Sequence, residues 1–94
     1  MNIDKTILDK AIAHYGPDAQ LNKCIEECLE LALAISRHKL NPSTETLTNI
    51  IDELADVSIM VAQATIIVQT IDDEQVQGRI DFKLNRLKNR MDVQ

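Results

Sequence analysis

The stretch NIIDELADVSIMVAQATIIVQT, residues 49–70, decides the fold. Asp52, Glu53 and Asp56 open it, and beyond Asp56 it is apolar on every side. Val57, Ile59, Met60, Val61, Ile66, Ile67 and Val68 leave no solvated stripe at about 100° per residue. That pattern predicts a helix running through a core, with Glu53 and Asp56 sharing one arc and pointing at something other than bulk water.

A second acidic group precedes it. Glu26, Glu27 and Glu30 fall within one arc of an upstream helix, beside Leu21, Ile25, Leu29 and Ala32, and Leu33 and Ala34 continue the arc as apolar positions. An ionised carboxylate held out of water costs several kcal/mol unless it is paired. Crowding such groups adds about 1 kcal/mol of repulsion per close pair even in bulk water. Lys23, Arg37 and Lys39 are the nearby cations, too few to neutralise acids converging from two helices. Divalent cations would do so, and an all-oxygen donor set selects a hard ion, Mg²⁺ or Mn²⁺, over zinc or iron. The chemistry that follows is a metal-assisted reaction on phosphates.

Outward from these two segments the chain reads as four helices joined by short turns. The first is predicted from about Ile3 to His14, with Ile7, Leu8, Ala11 and Ile12 as its apolar stripe and Asp4 favouring its N-terminal dipole. Tyr15-Gly16-Pro17 stops it, and Pro17 and Asp18 suit the first turn of a second helix reaching His38. Leu40-Asn41-Pro42 breaks that helix. Ser43 or Thr44 then caps a third helix running to about Thr70, some 40 Å at 1.5 Å per residue. Asp72 and Asp73 are predicted to cap a fourth, with Val76, Ile80, Leu84 and Leu87 on one stripe and Gly78 weakening its start. The expected fold class is all-α, a four-helix, bundle-like single domain over 1–94.

With 94 residues, 45% of them hydrophobic and only 2% aromatic, the core must be built from Ile, Leu, Val, Ala and Met. A chain this small gains from self-association. The net charge of −5 argues against nucleic acid or anionic lipid as a partner. The apolar run Val57–Val68 is shorter than the roughly 20 residues of a membrane span and is interrupted by Gln63 and Thr65. Asp4 and Asp9 come early, where a signal peptide would be basic and then apolar. A cytoplasmic protein with no membrane partner is expected. Cys24 and Cys28, one turn apart on a rigid helix, are poorly placed for a disulfide and read as small buried hydrophobes.

The fourth helix is the basic element of an acidic chain: Arg79, Lys83, Arg86, Lys88 and Arg90. Cations near a helix C-terminus ordinarily dress a solvated face. A site for a polyphosphate also needs cations, and Lys83 and Arg86, one turn apart, are the candidates to supply them. No Walker-type lysine loop and no dinucleotide fingerprint is present. Phosphate chemistry here would be carried by side chains on helices.

Ala19-Gln20-Leu21 leading into Glu26-Glu27-Cys28-Leu29-Glu30-Leu31, followed by Asp52-Glu53-Leu54-Ala55-Asp56-Val57, resembles the MazG-like branch of the all-α nucleoside triphosphate pyrophosphohydrolases. That family's hallmark is Glu-x-x-Glu followed at moderate distance by Glu-x-x-Asp, matched here by Glu27-x-x-Glu30 and Glu53-x-x-Asp56. The resemblance covers nearly the whole chain. It implies a helical homodimer or homotetramer that cleaves a (deoxy)nucleoside triphosphate between the α and β phosphates, giving monophosphate and pyrophosphate. Carried over residue by residue, it assigns Mg²⁺, with Mn²⁺ as a substitute, to Glu27, Glu30, Glu53 and Asp56. Glu26, with Glu27, is then placed to orient or deprotonate the attacking water. Family members often clasp the base with aromatics. This chain offers only Tyr15 and Phe82, so Gln20 and Asn49 are the candidate base contacts.

Two readings compete. In the first, the protein is a non-catalytic interaction module whose acids dress an oligomer interface and are neutralised by a neighbour's basic helix. A di-iron carboxylate bundle is the second, but it would need Glu-x-x-His, and neither His14 nor His38 stands three residues after a Glu. Both histidines, at helix ends, read as partners for the C-terminal dipole.

Overall fold

The computed structural model describes residues 2–92 and is all-helical, with no strand among them. The order is α1 (Lys5–Tyr15), α2 (Pro17–Leu40), α3 (Thr44–Ile71) and α4 (Val76–Asp92).

Local chemistry sets the ends. Asp4 stands outside α1 as its N-cap, accepting from Thr6 N at 2.9 Å, so the helix begins two residues later than the apolar spacing suggests. Gly16 links α1 to α2 at φ 92°, ψ 149°, a conformation that residues with a Cβ rarely adopt. Pro17 follows it in the first turn of α2. Ser43 and Thr46 form a capping box at the start of α3: Ser43 Oγ accepts from Thr46 N and Thr46 Oγ1 accepts from Ser43 N, each at 3.0 Å. His38 is held to the same hydroxyl, Nδ1 to Thr46 Oγ1 at 2.8 Å, which ties the end of α2 to the start of α3.

Asp72 and Asp73 do not cap α4. Asp72 instead closes α3, its N–H bonded to Val68 O, and its carboxylate accepts from Glu74 N within the connecting turn. The first N–H of α4, that of Val76, is satisfied by Gln69 Oε1 at 3.0 Å.

α2 and α3 form a long antiparallel hairpin in which Gln20 meets Gln63 and His38 meets Thr46. α1 packs against both helices. α4 joins none of them in a sustained packing, so within one chain the four-helix bundle is incomplete. The radius of gyration is 16.1 Å, against about 12–13 Å for a compact chain of this length.

The buried apolar side chains among the described residues are Leu8, Ala34, Met60 and Ile67, each still 4–8% exposed. α3 was expected to run through a core. In the single chain only its seam of Met60, Gln63 and Ile67 is buried, and Ile59, Val61 and Val68 are between 41% and 48% exposed. By length and composition α3 is also apolar enough to cross a membrane, which the shorter run Val57–Val68 did not suggest.

The hairpin has two unlike sides. On α3, reckoned from Glu53 at about 100° per residue, Asn49, Asp52 and Asp56 lie on one flank. Leu47, Leu54, Val61 and Val68 lie on the other. On α2 the same division puts Glu30, Leu33 and Arg37 with the acids and Leu21, Cys24 and Cys28 opposite. α1 lies on the acidic side, where Ile3, Ile7 and Leu8 border a recess with Ile59.

Candidate metal centre

Helical spacing brings three acids to one point. Glu27 and Glu30, one turn apart on α2, face Glu53 on α3, with a carboxylate oxygen from each within 4.8 Å of the others. Glu27 is only 8% exposed. Its Oε2 and Glu53 Oε2 are both buried with no hydrogen-bond partner among the described residues. A buried acceptor without a donor costs stability, so a proton or a cation at these two oxygens would be stabilising.

Among the described residues the only cation paired with the cluster is Lys23, whose Nζ is 3.3 Å from Glu27 Oε1 and 3.7 Å from Glu26 Oε2. The hydrogen bond to Glu27, then the charges of Glu27 and Glu26, hold the Lys23 ammonium above the usual lysine range. On the far side, burial pushes the Glu53 carboxyl above the usual carboxylate range. The negative charges of Glu30, Glu27 and Asp56 push it the same way. Glu53 thus sits where a proton or a metal ion is favoured over a bare negative charge.

Beside the cluster a cavity of about 410 Å³ opens between α2 and α3. Glu30, Asp52 and Glu53 form its acidic wall and Leu33 and Ala34 an apolar one, while Arg37, Thr46 and Asn49 complete the lining. The capping box and the His38 contact therefore also shape the end of this cavity.

The remaining sequence-predicted residues are dispersed. Asp56 is exposed on the flank of α3, near enough for its charge to act on Glu53 but outside the three-oxygen group. Glu26, adjacent in sequence to Glu27, is turned by about 100° and lines a second recess with Tyr15, Gln20, Asn22 and Lys23. Gln20 Nε2 donates to Gln63 Oε1 at 2.7 Å, so that nitrogen is already engaged. Lys83 and Arg86 are exposed on α4 and do not line the acidic cavity. Within one chain nothing brings them to the carboxylates.

Two charged cavity residues were not assigned to the site from sequence. Asp52 belongs to the acidic group by type, and its position about 100° from Glu53 turns it into the cavity rather than toward Glu27. Arg37 was counted as a nearby cation, and its spacing of seven from Glu30, two helical turns, was the available signal. No protein-family model, no curated protein and no solved structure matches this chain.

Proposed function

We propose that the protein is a Mg²⁺-dependent nucleoside triphosphate pyrophosphohydrolase of the MazG-like kind, working as an assembly of at least two copies. The observation that carries this is the convergence of Glu27, Glu30 and Glu53 with two buried, unpartnered carboxylate oxygens. Their donor set fits a hard divalent cation. Bound there, the cation would offset phosphate charge and make water a better nucleophile.

The surrounding residues supply the rest. Glu27 and Glu30 hold the α2 side of the site and Glu53 the α3 side, with Asp56 adding negative charge at its edge. Arg37 is the cation of the cavity and the side chain placed to meet phosphate oxygens. Asn49 and the Leu33–Ala34 wall offer an amide and an apolar surface, which suit a nucleobase. Glu26 lies one residue from the cluster, and in this reading it reaches the attacking water only by swinging away from Lys23. Lys83 and Arg86 would contribute only if α4 of another copy approached the cavity.

The non-catalytic module is the second reading, and the many exposed apolar side chains favour it. Against the form in which the acids dress an interface, the exposed Leu47, Leu54, Val61 and Val68 of α3 lie on the side of the hairpin opposite the acids, and Leu33 and Ile59 on the acidic side.

The test is a panel of the common nucleoside triphosphates with Mg²⁺, resolving pyrophosphate from orthophosphate. Pyrophosphate with the matching monophosphate is expected, and Glu30→Gln should abolish it. Orthophosphate as the product would make the protein a phosphatase instead, and no product from any nucleotide would return the chain to the interaction module.

A further inference from the structure

α2 carries a second group of metal-ligating side chains, away from the carboxylates. Cys24 and Cys28 stand one turn apart, turned roughly 120–160° from Glu30 about the helix axis. With Leu21, Ile25 and Leu29 they line a recess of about 440 Å³. The sequence reads both as buried hydrophobes. In the structure Cys24 is half-buried and Cys28 is exposed, so the pair opens to solvent. The two thiols also sense each other: burial first, then the charge of Cys28 and a hydrogen bond with it, push the Cys24 thiol above the usual cysteine range.

We infer that Cys24 and Cys28 form a two-thiolate site for a monovalent copper ion, complete within one chain. The site is separate from the centre of Glu27, Glu30 and Glu53 and does not depend on the function proposed above.

Spacing carries the first part of the inference. Residues four apart on a helix hold their Cβ atoms about 5–6 Å apart, whereas a disulfide needs them at about 3.5–4.5 Å. The pair therefore does not close on itself while α2 stays helical. An ion placed between the sulfurs asks for less, because two metal–thiolate bonds of about 2.3 Å let them stand roughly 4.6 Å apart.

Donor number carries the second part. No side chain with a nitrogen or oxygen donor lines the recess, and the acidic cluster is the one group of three or more metal-ligating residues among the described residues. Zinc takes three or four protein ligands and finds two. Divalent copper prefers nitrogen and oxygen donors in a tetragonal plane. Monovalent copper is a soft ion that thiolates select, and two of them in a line satisfy it. Each thiol loses its proton as its sulfur bonds the ion, so one Cu⁺ displaces two protons and no electron moves. Binding also clamps the turn from Cys24 to Cys28, which carries Glu27 on its other face.

Anaerobic titration of the reduced full chain with Cu⁺, in competition with the chromophoric chelator bathocuproine disulfonate, tests the site in wild type, Cys24→Ser, Cys28→Ser and Glu30→Gln. One Cu⁺ per chain is expected, held alike by the wild type and Glu30→Gln and unmoved by excess Mg²⁺. Each serine variant should lose at least 100-fold in affinity, since one thiolate does not satisfy a two-coordinate ion. Cu⁺ should raise the unfolding midpoint of the wild type and leave that of either serine variant unchanged, which separates a clamp across one turn from loose binding at a surface sulfur. Cys28→Ser, at an exposed position, keeps the test open if Cys24→Ser fails to fold. No binding by the wild type overturns the inference, and wild-type affinity in either serine variant overturns it as adventitious binding only. One Cu⁺ per two chains overturns it by assigning the ion to thiols of different copies. Zn²⁺ held as tightly as Cu⁺, and lost in the same variants, overturns the two-coordinate assignment. No nucleotide enters the experiment, so every outcome leaves the hydrolase reading to its own test.

Discussion

Replacing Gln20 with Ala should destabilise the protein without weakening nucleotide binding. Gln63 is 3% exposed, and its Oε1 accepts from Gln20 Nε2 at 2.7 Å. Among the described residues its own amide nitrogen reaches only Met60 Sδ, at 3.6 Å. Gln20→Ala therefore leaves a buried carbonyl oxygen without a donor, a cost of about 1–3 kcal/mol. For a domain of this size each kcal/mol moves the midpoint of thermal unfolding by about 4–8 °C, so a fall of roughly 5–20 °C is expected. Gln63→Leu should cost less, because the orphaned group is then Gln20 Nε2, at the rim of the recess with Tyr15 and Lys23 and within reach of water. In the double variant Gln20→Ala/Gln63→Leu no buried acceptor remains, and it should melt above Gln20→Ala alone. Circular dichroism melts of the four proteins, with titration of a non-hydrolysable triphosphate into each, form the assay. A melt of Gln20→Ala within 2 °C of wild type, together with a tenfold loss of nucleotide affinity, would refute the reasoning and return Gln20 to the substrate.

Metal-free protein should lose stability as pH rises from about 4.5, the ordinary value for Glu53. The folded state keeps that proton to higher pH than the unfolded chain does, so the unfolded state binds fewer protons through this window. Melts across pH 4 to 8 in chelator should show the decline, and Glu53→Gln should flatten it. Gly16→Ala should cost about 1–3 kcal/mol through backbone strain alone, since an added Cβ meets nothing within 4 Å; an unchanged denaturation midpoint would contradict the positive φ. Arg37→Ala should weaken triphosphate binding at least tenfold in calorimetric titration and monophosphate binding much less. Lys83→Ala should do the same only if α4 of a neighbouring copy reaches the cavity, and parallel losses for the two nucleotides would remove either residue from the phosphates.

The helices were legible because their ends are written in local chemistry: Gly16-Pro17, Asn41-Pro42 and the Ser43 cap each act on the backbone within a few residues. The meeting of Glu27, Glu30 and Glu53 was legible for the same reason, since 3.6-residue periodicity aligns one turn with the next and two acidic turns on successive antiparallel helices face each other. Glu26 shares an arc with Glu27 and Glu30 in the sequence, but a single step along the helix turns it about 100° from Glu27, and it lines the recess with Tyr15, Gln20 and Lys23. Lys83 and Arg86 illustrate a different limit. Their spacing defines a face of α4, but where α4 lies depends on what its apolar stripe meets, and Ile80, Leu84 and Leu87 remain exposed in the single chain. The apolar character of α3 was plain, whereas the side of it left uncovered emerges only from the packing of α1 on the acidic flank.

The most direct test of the acidic cluster is a titration of the metal-free protein with Mn²⁺, followed by the loss of the free-ion paramagnetic signal and repeated with Mg²⁺ as competitor. One saturable site per chain is expected, displaced by Mg²⁺ and lost in Glu30→Gln and Glu53→Gln. It should be accompanied by about 2.7 kcal/mol of added stability at 100 times the dissociation constant. Equal Mn²⁺ binding by the wild type and both variants, or no saturable site at all, would contradict the assignment of Glu27, Glu30 and Glu53 to a divalent cation.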